Sequence, residues 1–300
     1  MPLNIVITHT LPANALRWKE VLSLKRPNDD IRIWPDAPER WADYAIGWNP
    51  PAELFAAQPQ LKAFFSAAAG LDHLLSNASL PKALPLIRLE DAGMGLQMAE
   101  YCLLEVGKAY HRREEYAAQQ LQSVWKVLPS MRRSEFIVGL FGAGVLGQAI
   151  AKGLNQFGYR TQFFSRSGGQ SLAAFLATSQ VLVVCAPLTA LTRDFFNHQR
   201  LSQLPRGAHV VNVARGALIV DEDLLALINT GHLAGATLDV FRQEPLPKGH
   251  PFWANSKVKI TPHVSAITLI GPSAEQVHQK LNLLEQSMAV TGLVDRERGY

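Results

Sequence analysis

"EFIVGLFGAGVLGQAIAKGL" (residues 135–154) decides the fold class. Its opening residues form an apolar run of strand length, and the residues after the glycines place apolar positions at helical spacing. Between the two, Gly142, Gly144 and Gly147 stand in G-x-G-x-x-G register. Each glycine has a separate physical reason. Gly142 permits the tight turn, Gly144 lets backbone approach a pyrophosphate, and Gly147 brings helix and strand together. The helix that opens at Val145 and Leu146 offers its N-terminal N–H groups and dipole to negative charge. Strand, turn and helix in this order predict a dinucleotide site built from Gly142, Gly144, Val145, Leu146 and Gly147.

Outward from this stretch, apolar runs of strand length alternate with helical stretches, the pattern of an α/β fold with parallel sheets. Downstream the strand-like runs are "YRTQFFS", "QVLVVCA", "AHVVNVA", "AGATLDVF" and "VKITP". One intervening helix, in "VDEDLLALINTGH", reads with Asp221 as N-cap and Gly231 as stop. Upstream, "NIVIT", "IRIW", "YAIGW" and "LKAFFSA" form a separate strand series broken by "RPNDD" and "WNPPAEL". Apolar positions at Leu96, Ala99, Leu103, Val106 and Tyr110 predict one long helix from Leu96 into the 120s, leading out of the first domain. A last helix over about 273–290 is expected to return to the first domain. The reading is therefore two domains, residues 1–97 plus 268–300 and an inserted domain at 98–267.

The end of the strand after the glycine helix selects the dinucleotide. An NAD site usually places an acid there, about 20 residues beyond the glycines. Here "FFSRSGG" supplies Ser165, Arg166 and Ser167, a cation and two hydroxyls with no carboxylate to repel a 2′-phosphate. NADP(H) is expected in preference to NAD(H), with NAD(H) still usable.

Composition narrows the rest. A chain of 300 residues, 48% hydrophobic, can bury two cores. Its formal charge of +4 is carried by single and paired basic residues, Arg112–Arg113 and Arg132–Arg133 among them, without the dense clusters of a nucleic-acid footprint. No nucleic-acid partner is expected; small anions suit the charge. "MPLNIVITHT" lacks a basic leader region and no run of 18 apolar residues occurs, so no membrane partner and a cytoplasmic location are expected. Cys102 and Cys185 make neither a disulfide framework nor a metal-ligand spacing, and no metal is expected.

Three polar residues follow three successive strand runs of the inserted domain: Arg215 after "VVNVA", Glu244 after "TLDVF" and His263 after "VKIT". In open α/β sheets ligands bind beyond the carboxyl ends of strands, so these can converge. An arginine offers a planar fork to a carboxylate. A carboxylate beside an imidazole fixes its tautomer and favours the protonated ring. Together they can bind a 2-oxo acid and protonate the developing alkoxide as hydride arrives from a nicotinamide. The plainer alternatives are an Arg215 ion pair with Asp221 or Asp239, a solvated Glu244, and a His263 that only caps its turn.

On "GLFGAGVLGQAIA", "VVNVARGALIVDEDLLALINTGHLAGATLDVFRQEPLP", "VKITPHVSAIT", "SAAAGLDHL" and "MAEY", the chain resembles the D-isomer-specific 2-hydroxyacid dehydrogenases. The resemblance implies a Rossmann dinucleotide-binding domain inserted into a flavodoxin-like substrate domain, both doubly wound. It implies that Arg215 binds the substrate carboxylate and carbonyl, that His263 is the acid/base, and that Glu244 is its partner. It places the substrate carboxylate on backbone N–H groups around Ala69 and Gly70. Pro187, Thr192, Val213, Ala214, Arg215, Asp239 and His263 would lie along the cofactor. "GWNPP", "LEDAGMGLQMAEY" and "VDRERGY" are most similar to the glyoxylate/hydroxypyruvate reductase branch, which uses NADPH and places Trp48 near the substrate. Asn49 stands where that branch often has histidine. The helix from Leu96 resembles the family's dimerisation element, so a homodimer is implied. Two readings compete: the same chemistry on larger 2-oxo acids such as phenylpyruvate, and a non-catalytic dinucleotide-sensing module.

Overall fold

A computed structural model describes residues 2–165 and 169–299. The chain divides into two units, Met1–Gly93 with Thr268–Tyr300, and Met94–Ile267.

In the first unit the elements follow as β1 (Asn4–His9), α1 (Pro12–Lys25), β2 (Asp30–Ile33), β3 (Tyr44–Trp48), α2 (Ala52–Ala57), β4 (Ala63–Ser66), α3 (Asp72–Leu75) and β5 (Leu86–Arg88). They form one parallel sheet in the order β2-β1-β3-β4-β5, with Ile5 beside Tyr44 and Phe64 beside Leu86. This is the flavodoxin-like order of a doubly wound fold. Its central strands read as unbroken apolar runs because both faces are covered; Ile5, Val6, Ala45, Ile46 and Phe64 are buried. Strand β5 escapes sequence reading, since three residues carry no periodicity and only pairing with β4 defines it.

The second unit contains α4 (Met94–Tyr110), α5 (Arg113–Leu121), β6 (Ile137–Phe141), α6 (Val145–Gln156), β7 (Arg160–Phe164), α7 (Leu172–Thr178), β8 (Val181–Val184), α8 (His198–Leu201), β9 (Ala208–Asn212), α9 (Asp221–Asn229), β10 (Leu233–Leu238) and β11 (Val258–Ile260). Its parallel sheet runs β11-β10-β9-β8-β6-β7, reversing direction between β6 and β8. One face is covered by a core of Phe175, Phe196, Leu218 and Leu224, the other by Cys102, Val106, Ile150 and Leu154 from α4 and α6. Chain order ends with α10 (Ile270–Glu285), which belongs to the first unit. There Lys25 pairs with Glu275, and Arg26 donates to Asn282 and Glu285 at 2.7 Å each. Lys280, nearly buried, donates to the carbonyl of Arg88 at 3.0 Å, tying α10 to the end of β5.

Four local expectations need correction. The long helix does not run unbroken into the 120s: α4 stops at Tyr110, Arg112 takes φ 54, and α5 starts afresh. The cause is that the buried stripe ends with α4; α5 has no buried residue. The helix starts at Met94 rather than Leu96, because Asp91, Ala92 and Gly93 all have positive φ (34, 48 and 86) and cannot continue a right-handed helix. Asp221 is not the N-cap of α9. Val220 holds that place without a side-chain cap, and the Asp221 carboxylate instead faces Arg242 and His250 at 3.5 Å each. The last helix ends at Glu285, short of 290. At the other end of α9, Gly231 has φ 70, and the N–H groups of Gly231 and His232 donate to Ile228 and Leu227, closing a Schellman turn. Among the described residues no helix is long and apolar enough to cross a membrane.

Candidate active site

The carboxyl edge of the second unit's sheet carries polar function after nearly every strand. After β6, Gly142 has φ 125, and a Cβ there would come within 2.8 Å of the backbone at Cys185 and Ala186. A Cβ on Gly147 would meet the Gly142 carbonyl at 2.2 Å, whereas one on Gly144 would meet nothing within 4 Å. The turn is thus closed on the protein side and open on the other. Gly144 is the N-cap of α6 and no side chain caps the helix, so the first-turn N–H groups of Val145, Leu146 and Gly147 face that opening. This geometry fits a pyrophosphate. Ser165 directly follows β7, partly exposed; Arg166 and Ser167 lie outside the described residues.

After β8, Pro187 is exposed and Thr192 is buried. Its hydroxyl donates to the Pro187 carbonyl at 2.7 Å and accepts the Thr189 N–H at 2.8 Å, so it closes its own loop. After β9, Asn212 does work that sequence reading missed. Nearly fully buried, it accepts the Ala214 N–H at 3.1 Å and donates to the Arg215 carbonyl at 3.0 Å, fixing the turn Val213–Ala214–Arg215. The Arg215 Nη1 donates to the Ala214 carbonyl at 2.7 Å. Gly216 is obligatory for a different reason: a Cβ would lie 2.0 Å from the Phe241 carbonyl carbon. An Asn two residues before a buried Ala and an Arg-Gly pair is the signal that sequence offered.

After β10, Glu244 is held by backbone. Its Oε1 accepts the Phe241 N–H at 2.9 Å, and its Oε2 lies 2.8 Å from His263 Nδ1. Partial burial pushes the Glu244 carboxyl up, but the bonds from His263 and Phe241, with the charges of His263 and Arg215, hold it below the ordinary carboxylate range. The His263 and Glu244 side chains remain 42% and 37% exposed, so solvent and substrate can reach the pair. Arg215, Glu244 and His263 therefore follow three neighbouring strands, and Glu244 makes a direct bond with the imidazole. Asp221 and Asp239, the carboxylates first weighed as partners of Arg215, are engaged elsewhere.

Asp239, which the family resemblance places along the cofactor, is wholly buried. Oδ1 accepts the Thr261 hydroxyl at 2.6 Å and the Val264 N–H at 2.8 Å, Oδ2 accepts the Ser265 N–H at 2.8 Å, and its carbonyl accepts the His263 N–H at 2.8 Å. The physical reason is the turn itself: His263 sits at φ 55, and its neighbours' N–H groups need an acceptor below them.

In the first unit, Trp48 ends β3 and Ala69 and Gly70 lie in the turn after β4. The Ala67 N–H donates to the Gly47 carbonyl at 2.8 Å, joining these two strand ends. His73 lies on the Trp48 ring with centroids 3.8 Å apart. Among the described residues, no group of three or more His, Cys, Asp or Glu is placed to hold a metal ion.

Comparison with known proteins gives the family. The family model described as D-isomer specific 2-hydroxyacid dehydrogenase, NAD binding domain, matches residues 105–265. The glyoxylate/hydroxypyruvate reductase A of Yersinia enterocolitica is 39% identical over 99% of this chain and 100% of its own length. That of Salmonella heidelberg is 41% identical over 96% and 97%. Among solved structures, a D-isomer specific 2-hydroxyacid dehydrogenase from Xanthobacter autotrophicus, in complex with NADPH and MES, superposes with TM-score 0.93 at 34% identity over 100% of both chains. An NADPH-dependent glyoxylate/hydroxypyruvate reductase from Sinorhizobium meliloti, in complex with NADP and sulfate, gives 0.90 at 28% identity over 99% and 100%. A glycine turn open to a pyrophosphate, an arginine and a carboxylate-bound histidine on one sheet edge, and full-length similarity lead to one conclusion: the chain belongs to the D-isomer-specific 2-hydroxyacid dehydrogenase family.

Proposed function

We propose that this chain is an NADPH-dependent reductase of small 2-oxo acids, converting glyoxylate to glycolate and hydroxypyruvate to D-glycerate. The observation that carries the proposal is the 2.8 Å bond between His263 Nδ1 and Glu244 Oε2, on the same sheet edge as the open glycine turn. The printed activities and NADPH or NADP complexes of the relatives support the substrate and cofactor.

Residues 94–267 would bind the dinucleotide, with Gly142, Gly144, Val145, Leu146 and Gly147 on the pyrophosphate. Ser165, with Arg166 and Ser167, would favour NADPH over NADH, NADH remaining usable. Pro187 and the backbone of Val213 and Ala214 would line the cofactor. NADPH, when bound, supplies the hydride. Arg215 grips the substrate carboxylate through its fork and polarises the 2-oxo group. His263 donates the Nε2 proton to the carbonyl oxygen as it becomes a hydroxyl, and takes its replacement from solvent. Glu244 keeps Nδ1–H engaged, so Nε2 is the nitrogen that carries the transferable proton. Trp48, Ala69 and Gly70 are the substrate contacts that the family resemblance implies, Trp48 by limiting substrate length.

A homodimer is part of the same reading. Leu121, the last residue of α5, and Val124, Trp125 and Val127 after it are exposed, Trp125 completely, a run of large apolar side chains that a second copy would cover. Cytoplasmic residence is supported by two unpaired thiols, Cys102 and Cys185.

The test is NADPH oxidation against a panel of 2-oxo acids, repeated with NADH. Higher kcat/KM for glyoxylate and hydroxypyruvate with NADPH is expected. Preference for phenylpyruvate would move the substrate class, and cofactor binding without turnover would replace the enzyme by a sensing module. A monomeric mass by light scattering would reject the dimer.

A further inference from the structure

Tyr101 belongs to none of the substrate, cofactor or proton-transfer groups above, yet it touches the turn that carries His263. It stands on α4 one turn before Glu105, a buried carboxylate that accepts the Thr237 hydroxyl at 2.8 Å. Residues four apart on a helix share a face. Glu105 anchors that face to β10 and Tyr101 reaches the end of β11, where its hydroxyl lies 2.6 Å from Thr261 Oγ1.

Hydrogen counting fixes the direction of the chain. The N–H groups of Val264 and Ser265 can only donate, so Asp239 meets them as acceptor on both oxygens. Thr261 has one hydroxyl hydrogen and places it on Asp239 at 2.6 Å. The hydrogen between Tyr101 and Thr261 therefore belongs to Tyr101. Burial raises the Tyr101 phenol above its ordinary range, so this donor keeps its proton throughout the working range. At the far end Asp239 holds His263, a non-glycine residue at φ 55, through its carbonyl and holds the two following N–H groups through its carboxylate. A left-handed residue of this kind persists only where its surroundings over-determine it.

We propose that Tyr101 and Thr261 are positioning residues for the general acid: the ordered chain Tyr101 O–H to Thr261 O–H to Asp239 holds the 261–265 turn and so aims the His263 ring. The proposal rests on the reading of His263 as proton donor.

Two measurements test it. The first reads geometry without activity: amide hydrogen exchange at Val264 and Ser265, in Tyr101→Phe, Thr261→Val and Thr261→Ser. Exchange should quicken in the first two and stay slow in the third, which keeps the hydroxyl. The second is steady-state and single-turnover reduction of glyoxylate. Tyr101→Phe should lower kcat about five- to tenfold, the rate equivalent of one lost hydrogen bond, with the NADPH Kd unchanged. In a His263→Ala background the same change should lower kcat no further, because the residue acts only through the ring. Unaltered exchange at Val264 and Ser265 in both Tyr101→Phe and Thr261→Val overturns the proposal, as does an equal loss of kcat with and without His263. If the wild-type chain reduces no 2-oxo acid, the function reading falls while the exchange data still decide whether the chain of hydroxyls holds the turn.

Discussion

Replacing Glu244 by Gln isolates the charge of the pair from its shape. In the native site the two carboxylate oxygens have separate partners, Oε1 the Phe241 N–H at 2.9 Å and Oε2 the His263 Nδ1 at 2.8 Å. Glutamine has one oxygen and one NH2, so it satisfies only one of them as acceptor. If the oxygen stays on Phe241, the NH2 faces Nδ1 and forces the proton of the neutral ring onto Nε2, which opposes the imidazolium. If it turns to His263, the Phe241 N–H loses its acceptor and the loop loosens. A charge-assisted bond contributes about 1.5–3 kcal/mol net, and the partial exposure of both partners places this one toward the lower end. That corresponds to a fall in kcat of about 10- to 30-fold. The assay is NADPH oxidation with saturating glyoxylate over about pH 5 to 8, the range in which histidine charge matters, with the NADPH Kd measured alongside. A Glu244→Gln enzyme whose kcat stays within about twofold of wild type, with an unchanged pH profile, would refute a role for the carboxylate in holding the acid.

Arg215→Ala should raise KM for glyoxylate and lower kcat together, reducing kcat/KM by at least about 10²-fold; Arg215→Lys should not restore it, because a point charge lacks the fork. Gly147→Ala places a methyl 2.2 Å from the Gly142 carbonyl and should weaken NADPH binding by at least about tenfold, followed by fluorescence titration with circular dichroism as the control for folding. Burial lowers the His209 imidazole from 6.5 to about 4. Between those values the unfolded chain binds a proton that the folded chain refuses, so this group costs stability as pH falls through the window, roughly 3 kcal/mol in all. The melting temperature should drop between pH 6.5 and about 4, and His209→Asn should flatten the slope; parallel slopes would show that other groups set it.

The legible parts of the site share a property: their signal lies within a few residues. Gly142, Gly144 and Gly147 announce themselves by spacing, and the structure shows why two of them admit no side chain. Arg215, Glu244 and His263 stood out because each follows a strand, and a parallel sheet gathers such positions on one edge without further information. What escaped is what depends on partners distant in sequence. Thr192 and Asp239 carry polar groups suited to a cofactor, but the structure turns the first into its own loop and the second under the His263 turn. Tyr101 closed the quoted "MAEY" with no role assigned, although its hydroxyl meets Thr261. The helix stop at Tyr110 was hidden because periodicity records apolar spacing, not where the surface that rewards it ends.

Sequence alone thus determined the two-domain α/β order, the glycine turn and the identities of the three polar residues, because hydrophobic period, backbone freedom and the chemistry of a side chain are local properties. Only tertiary structure decided which oxygen of Glu244 meets His263, which carboxylate supports the turn beneath it, and that a tyrosine from α4 donates into that support. Those outcomes follow from hydrogen-bond geometry, which acts over about 3 Å in space and leaves no fixed interval along the chain.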